Sequence, residues 1–206
     1  MKSLLILIFS IFSLSLNSQT IHSYDTIINM HYYKAYYSKS IQASSFVIYK
    51  LYKGGGDVKR ANYSFIPYRN LPYFNYYKSG YDRGHLVPAE DLANTNLRLK
   101  STFYYINCVP QHPSLNRGIW KRYENIIRKL SQEDSLLIIC GGCDYPRTKE
   151  NKYIPKKCFK VVYSLSNKKC IYALIFPNNS NGQYIENEKL KKKFTYKKIM
   201  NLFIKK

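Results

Sequence analysis

Four short apolar runs and one stretch of helical period constrain this chain most. The runs are Ser45-Phe46-Val47-Ile48-Tyr49-Lys50-Leu51, Leu136-Leu137-Ile138-Ile139-Cys140, Phe159-Lys160-Val161-Val162-Tyr163 and Cys170-Ile171-Tyr172-Ala173-Leu174-Ile175-Phe176. Each has strand length and is rich in branched or aromatic residues, which suit a pleated, half-buried surface. The second lacks any charge and stops at Gly141-Gly142, which predicts a central strand ending there. Ser166-Asn167-Lys168 predicts a hairpin between the last two runs. Tyr24 to Ser38 predicts an irregular start and one strand. Arg60 to Ser79 contains Pro67 and Pro72 and predicts a connection without regular structure. Phe103 to Ile106 predicts a short strand or buried turn. Helical period appears over Leu115 to Leu130, where Ile119, Tyr123, Ile126, Ile127 and Leu130 form one stripe. Ser114 is the expected N-cap. Glu188 to Lys206 is basic and expected to be part helical. No repeat or inter-domain linker interrupts the chain. The class is α+β: a central, mostly antiparallel sheet flanked by helices.

Length and charge set the setting. The chain's 206 residues suit one core. Thirty-three Lys and Arg against twelve Asp and Glu leave a net charge of +21. Such a field favours a polyanion: nucleic acid, an anionic membrane surface or an acidic glycan. At 45% hydrophobic the chain is not a disordered one. Met1-Lys2 precedes Leu4 to Leu16, 13 residues without a charge. That run is shorter than the roughly 20 residues of a spanning helix and has the length of a signal-peptide core. Residues 1–18 are expected to be a signal peptide cleaved near Ser18, and 19–206 a single secreted or periplasmic domain with no stable membrane insertion. A retained anchor is the alternative. Export would place Cys108, Cys140, Cys143, Cys158 and Cys170 in an oxidising compartment. A structural disulfide or buried thiols fit Cys140-Gly-Gly-Cys143 better than zinc or redox chemistry, because no second ligand pair is spaced for zinc and Pro146 follows almost at once.

Three segments carry chemistry together: Tyr81-Asp82-Arg83-Gly84-His85-Leu86-Val87-Pro88-Ala89, Asn107-Cys108-Val109-Pro110-Gln111, and Asn116-Arg117-Gly118-Ile119-Trp120 with Glu124 beyond it. They supply an imidazole, an arginine beside it and an amide at the start of a helix. That set suits phosphodiester hydrolysis. An imidazole titrates near neutrality and can deprotonate water. A guanidinium can neutralise non-bridging oxygens. Mg²⁺ keeps several waters and needs few protein oxygens. Alone, His85 would more often be a core or surface histidine, Asn116 a cap and Glu124 a solvated helix residue. Trp120 is expected in the core, and His112 has no evident partner.

The tetrapeptide Asp82-Arg83-Gly84-His85 with Pro88-Ala89, then Asn107 with Pro110-Gln111, then Asn116 with Trp120 and Glu124, resembles the DNA/RNA non-specific endonucleases, the endonuclease G-like enzymes of the ββα-metal class. Phe46-Val47-Ile48-Tyr49, Arg60-Ala61-Asn62-Tyr63, Ile139-Cys140-Gly141-Gly142, Ile154-Pro155, Phe159-Lys160-Val161-Val162 and Phe176-Pro177-Asn178 extend the likeness over Tyr32 to Asn178. The resemblance implies a ββα-metal fold and a Mg²⁺-dependent endonuclease, with one ion per site that Mn²⁺ can replace and with DNA and RNA as substrates. It implies no small-molecule cofactor. His85 would be the general base and proton acceptor. Asn116 would be the one direct metal ligand. Arg83, Arg60 and Arg117 would contact substrate, Asn107 would support the site by hydrogen bonding, and Glu124 would hold metal-bound water. Asn116 and Glu124 lie eight residues apart, about 12 Å along a regular helix, so they are not expected to share the inner coordination shell. The chain departs from the family at Tyr68-Arg69, where an acidic residue is usual, and at Cys140, where Thr is common. Two rivals remain: a catalytically silent nucleic-acid-binding protein of the same fold, and a surface protein whose Lys-rich tail docks on anionic membrane.

Overall fold

All four apolar runs form strands, and they are neighbours in one sheet. The computed structural model describes residues 20–60, 63–148 and 153–204, so the expected leader lies outside the described residues. Chain order is β1 (Thr26–Asn29), β2 (Tyr33–Ser38), β3 (Ala43–Leu51), β4 (Asp82–His85), α1 (Asn96–Ser101), β5 (Cys108–Gln111), α2 (Lys121–Leu130), β6 (Leu136–Cys143), β7 (Lys157–Ser164), β8 (Cys170–Pro177), β9 (Ile185–Glu186), α3 (Glu188–Lys193) and α4 (Tyr196–Ile204). Seven strands pair in the order β1-β2-β3-β6-β7-β8-β9, and β4-β5 form a separate two-stranded unit. Every ladder of the large sheet is antiparallel.

Side-chain alternation stacks the layers. Val47, Tyr49, Ile138, Cys140 and Val162 point to the face covered by Leu86, Val109, Trp120 and Ile127 of the β4-β5-helix unit. Phe46, Ile48, Leu137, Ile139 and Phe159 point to the other face, where Leu190, Phe194 and Ile199 of the C-terminal helices cover them. Both faces are therefore dry, which is why β6 reads as one unbroken apolar run instead of an alternating one. Leu190 and Ile199 are buried while the lysines around them are exposed, so the tail is part of the scaffold.

Four sequence expectations change. Tyr24 to Ser38 gives two strands, because the chain reverses at His31 with φ +68°. β6 does not stop at its glycines but runs through them to Cys143. A Cβ at Gly141 would lie 2.2 Å from the Ser45 carbonyl oxygen, so that glycine marks close approach, not termination. Ser114 is not a cap: its backbone is already helical and its side chain makes no capping bond. His112 performs that task instead. Its Nδ1 accepts from the Ser114 N–H at 3.2 Å and its carbonyl from the Asn116 N–H at 2.9 Å. The physical reason is Pro113, whose fixed φ opens the helix one step earlier. Lastly, Asn96–Ser101 is a helix that the sequence reading missed, capped by Thr95 Oγ1 accepting from the Arg98 N–H. All five cysteines are free and four are buried, which settles the C-x-x-C question for buried thiols.

Candidate active site

The β4-β5 ladder and the helix after it build the site. Asp82 pairs with Gln111 and His85 with Cys108 across the ladder. Gly84 is required here, since a Cβ would lie 2.0 Å from Gln111 Oε1. Beyond β5 the chain enters a wide π-type stretch, Leu115–Trp120, before α2. Gly118 breaks it with φ −103° and ψ −111°. Such breaks re-aim side chains. Here Asn116 Nδ2 donates to Asp82 Oδ2 at 2.9 Å. Arg117 donates to both Asp82 oxygens at 2.8 and 2.7 Å. Burial alone would raise the Asp82 carboxyl, but these hydrogen bonds outweigh it and hold it below the usual carboxylate range. Arg117 is 72% exposed. A pair this open to solvent adds little to stability, so the bidentate contact orients Asp82, and through it Asn116, more than it stabilises the fold.

His85 ends β4 and is only 8% exposed. Phe65 and Phe103 pack on its ring, with centroids at 4.7 and 5.1 Å, and its carbonyl accepts from the Trp120 indole N–H at 3.3 Å. Burial, then the positive charge of Arg60, drives its pKa down to about 3. The ring is therefore neutral at pH 7, the form a base needs. Its buried Nε2 has no hydrogen-bonding partner among the described residues. Asn107 fixes the exit from His85. It is fully buried, accepts from the Val87 N–H at 2.9 Å and donates to the Val87 and Thr102 carbonyls at 2.9 and 3.0 Å. Those bonds tie Asn107 to the backbone on both sides of it, and its side chain has no exposed surface.

Glu124 lies on α2 and borders the same cavity as His85, Arg83 and Asn116. Burial raises its carboxyl to about 7, opposed by Lys160 and Arg128 and reinforced by Asp91 and Glu90. Beneath it lies an ionic cluster that the sequence reading missed. Asp91, in the short turn after Pro88, accepts from Tyr49 Oη at 3.1 Å and Arg128 Nε at 2.9 Å. Burial raises its carboxyl to about 6 despite Arg128 and Lys160. Lys160 is 0% exposed, with Nζ 3.8 Å from the Trp120 ring centroid and no hydrogen-bonding partner among the described residues. A cation over an aromatic face is attracted by the ring quadrupole, which offsets part of its burial cost. The available sequence signal was a lysine on the apolar-facing register of β7, between Cys158 and Val162.

Arg60 and Arg83 are both exposed and both border the cavity. Arg60 lies over the Phe103 ring and Arg83 over the Tyr76 ring, each at 5.4 Å. So His85, Asn116, Arg83, Arg60, Arg117 and Glu124 converge on one cavity of about 360 Å³, with Asn107 behind it. The residues fit a hard divalent cation. Asn116 gives Nδ2 to Asp82, which leaves its amide oxygen for coordination. Among the described residues no group of three or more His, Cys, Asp and Glu is placed to hold a metal. One amide oxygen with a carboxylate nearby suits an ion that keeps its waters and takes phosphate oxygen, and not tetrahedral zinc. His112, without evident partner in the sequence, caps this helix and donates its N–H to Asn178 Oδ1 at 2.7 Å.

The DNA/RNA non-specific endonuclease pattern matches residues 15–201. The human mitochondrial nuclease EXOG is 29% identical over 153 residues, 62% of this chain and 42% of its own length. A Nostoc nuclease is 37% identical over 95 residues, 45% of this chain and 35% of its own. Human mitochondrial endonuclease G is 32% identical over 101 residues, 47% and 34% respectively. The chain thus spans less than half the length of these relatives. A chain of the EndoG/EndoGI complex, a structure described in terms of EndoG inhibition, superposes with a TM-score of 0.70 at 18% identity, over 84% of this chain and 86% of that one, which establishes the shared fold. With the ββα unit and the match over nearly the whole chain, the protein belongs to the DNA/RNA non-specific endonuclease family.

Proposed function

We propose that this chain is an exported, Mg²⁺-dependent endonuclease that hydrolyses DNA and RNA and leaves 5′-phosphate and 3′-hydroxyl ends. The observation that carries this reading is the neutral, buried imidazole of His85, its Nε2 unpaired, bordering the same cavity as the amide of Asn116. His85 would take a proton from attacking water. Arg83 and Arg60 would hold the non-bridging oxygens while Asp82 keeps Asn116 in orientation. Bound to Asn116, a divalent ion would stabilise the charge developing on phosphate and leaving oxygen. Met1-Lys2 and the uncharged run after it support export. The +21 charge supports binding to any phosphate backbone, and so indifference to sequence. The test is digestion of plasmid DNA and of RNA with magnesium, manganese or chelator. Cleavage of both that chelator abolishes is expected. Binding without cleavage at any metal would instead leave the silent nucleic-acid-binding reading.

The pH dependence has a specific source. His85 loses its proton far below the working range, at about 3. Glu124 is raised to about 7, so it becomes neutral as pH falls through that value. A neutral carboxyl holds cation-bound water poorly. The acid limb of the kcat/KM profile is therefore expected to follow Glu124, and Glu124→Gln to lower the plateau and flatten the limb. An unchanged limb in that variant would assign it elsewhere.

A further inference from the structure

Among the described residues, Lys160 alone of the lysines is buried, and the sheet has no use for its charge. The strand register accounts for where it points. Lys160 pairs with Cys140 on β6 and Leu174 on β8, and it shares the helix-facing side of β7 with Cys158 and Val162. Its ammonium rests on the Trp120 ring. Trp120, Glu124 and Arg128 are four residues apart and so lie in a row along one side of α2. Both ends of the row are placed by contacts. Trp120 meets the Lys160 ammonium and gives its indole N–H to the His85 carbonyl, while Arg128 meets Asp91 and Glu90. Glu124 is midway between them, half-buried, at the wall of the cavity.

The other carboxylate beneath the cavity is already served. Asp91 Oδ1 accepts from Arg128 Nε, and Oδ2 accepts from Tyr49 Oη. Arg128 also donates to Asn125 Oδ1 at 2.9 Å and reaches Glu90 at 3.2 Å. Lys160 hydrogen-bonds to none of these groups. We infer that Lys160 is a positioning residue for the proposed hydrolysis: its ammonium, seated on Trp120, is the countercharge that lets the Glu124 carboxylate stand charged at the cavity wall. The inference rests on the nuclease reading and deepens it. A carboxylate withdrawn from water loses hydration, and a cation inside the protein restores part of that loss through weakly screened attraction. A ring face holds a cation without neutralising it, so its field remains available to Glu124. Burial raises the Glu124 carboxyl, and among the surrounding charges Lys160 opposes that rise most, followed by Asp91, which reinforces it, Arg128, which opposes it, and Glu90, which reinforces it. Tyr49 and Cys140 face the same cluster from β3 and β6. Arg60, Arg83, Lys121 and His85 border the cavity side.

Trp120 is the chain's single tryptophan, so its emission reports the ammonium on its ring. In the full chain, free of metal and nucleic acid, that emission is expected to change as Glu124 takes up its proton, with a midpoint at about 7. Glu124→Gln is expected to abolish the transition. No transition in the unaltered chain, or one that persists in Glu124→Gln, would overturn the inference. Lys160→Met keeps an unbranched apolar stem on the ring and removes the charge. Because the countercharge favours the ionised carboxyl, its loss should move the acid limb of kcat/KM to higher pH. The variant is expected about tenfold below the unaltered chain at pH 7, with most of that gap closed two pH units higher, since each unit changes the ionised fraction about tenfold. A loss by the same factor at every pH, as a packing defect would give, would overturn the assignment. If Lys160→Met does not fold, the emission titrations of the unaltered chain and of Glu124→Gln decide alone. Failure of the nuclease reading would look different: no metal-dependent cleavage by the unaltered chain, with the emission transition present and lost in Glu124→Gln.

Discussion

Replacing His85 with alanine is expected to lower the rate of plasmid nicking by about 10²- to 10⁴-fold at saturating magnesium, the usual contribution of a positioned base. The magnitude follows from where the ring lies. It is nearly enclosed, packed between Phe65 and Phe103, and neutral because burial and Arg60 disfavour its charged form. No second imidazole borders that cavity: His112 is spent on capping the helix and on Asn178. Raising magnesium should not restore the rate, since the cation does not supply the base. Circular dichroism should report a folded chain, because the His85 side chain makes no hydrogen bond on which the ladder depends and its carbonyl still receives Trp120. Nicking at the parental rate in a folded variant would remove His85 from the mechanism.

The second large effect is expected at Asn116. Asn116→Ala removes the proposed coordinating oxygen and leaves Asp82 still gripped by both Arg117 bonds, so the local fold should persist. Activity should fall by about 10²-fold or more, and the magnesium concentration for half-maximal rate should rise. That pairing of effects separates this variant from His85→Ala, in which only the rate falls. An unchanged magnesium requirement would move the cation off Asn116. Asp82→Asn is the informative comparison. It weakens the ion pair with Arg117 while leaving the coordinating amide in place, so its loss should be smaller and of the same kind.

The scaffold was legible in the sequence wherever burial is two-sided. The runs at β3, β6, β7 and β8 are dense enough in apolar residues to define strands, and the stripe from Ile119 to Leu130 defines the helix. What escaped was structure made by a few residues under tertiary control. β4 and β5 are four residues each and contain glycine and proline, so no period could show. The break at Gly118 lies two residues after Asn116, which reaches Asp82, and that contact across space has no periodicity to show in the sequence. The candidate site was legible mainly as a resemblance: His85, Arg83, Asn116 and Glu124, which border one cavity, were singled out because three short blocks occur in order. Asp82 was within the quoted tetrapeptide, yet its task needs the helix folded back over β4. Asp91, Arg128 and Lys160 form a cluster only once β7, α2 and the turn after Pro88 are stacked. A lone lysine in an apolar strand was the one available hint.

The large sheet ends in β1, four residues long, and in β9, two residues long. Open strand edges are where unrelated copies zip together, and these offer few free backbone groups for that. Positive charge on every copy adds repulsion at any distance shorter than the screening length. A chain this rich in strands should therefore stay dispersed at high concentration, and salt, by screening that repulsion, should be what brings it out of solution.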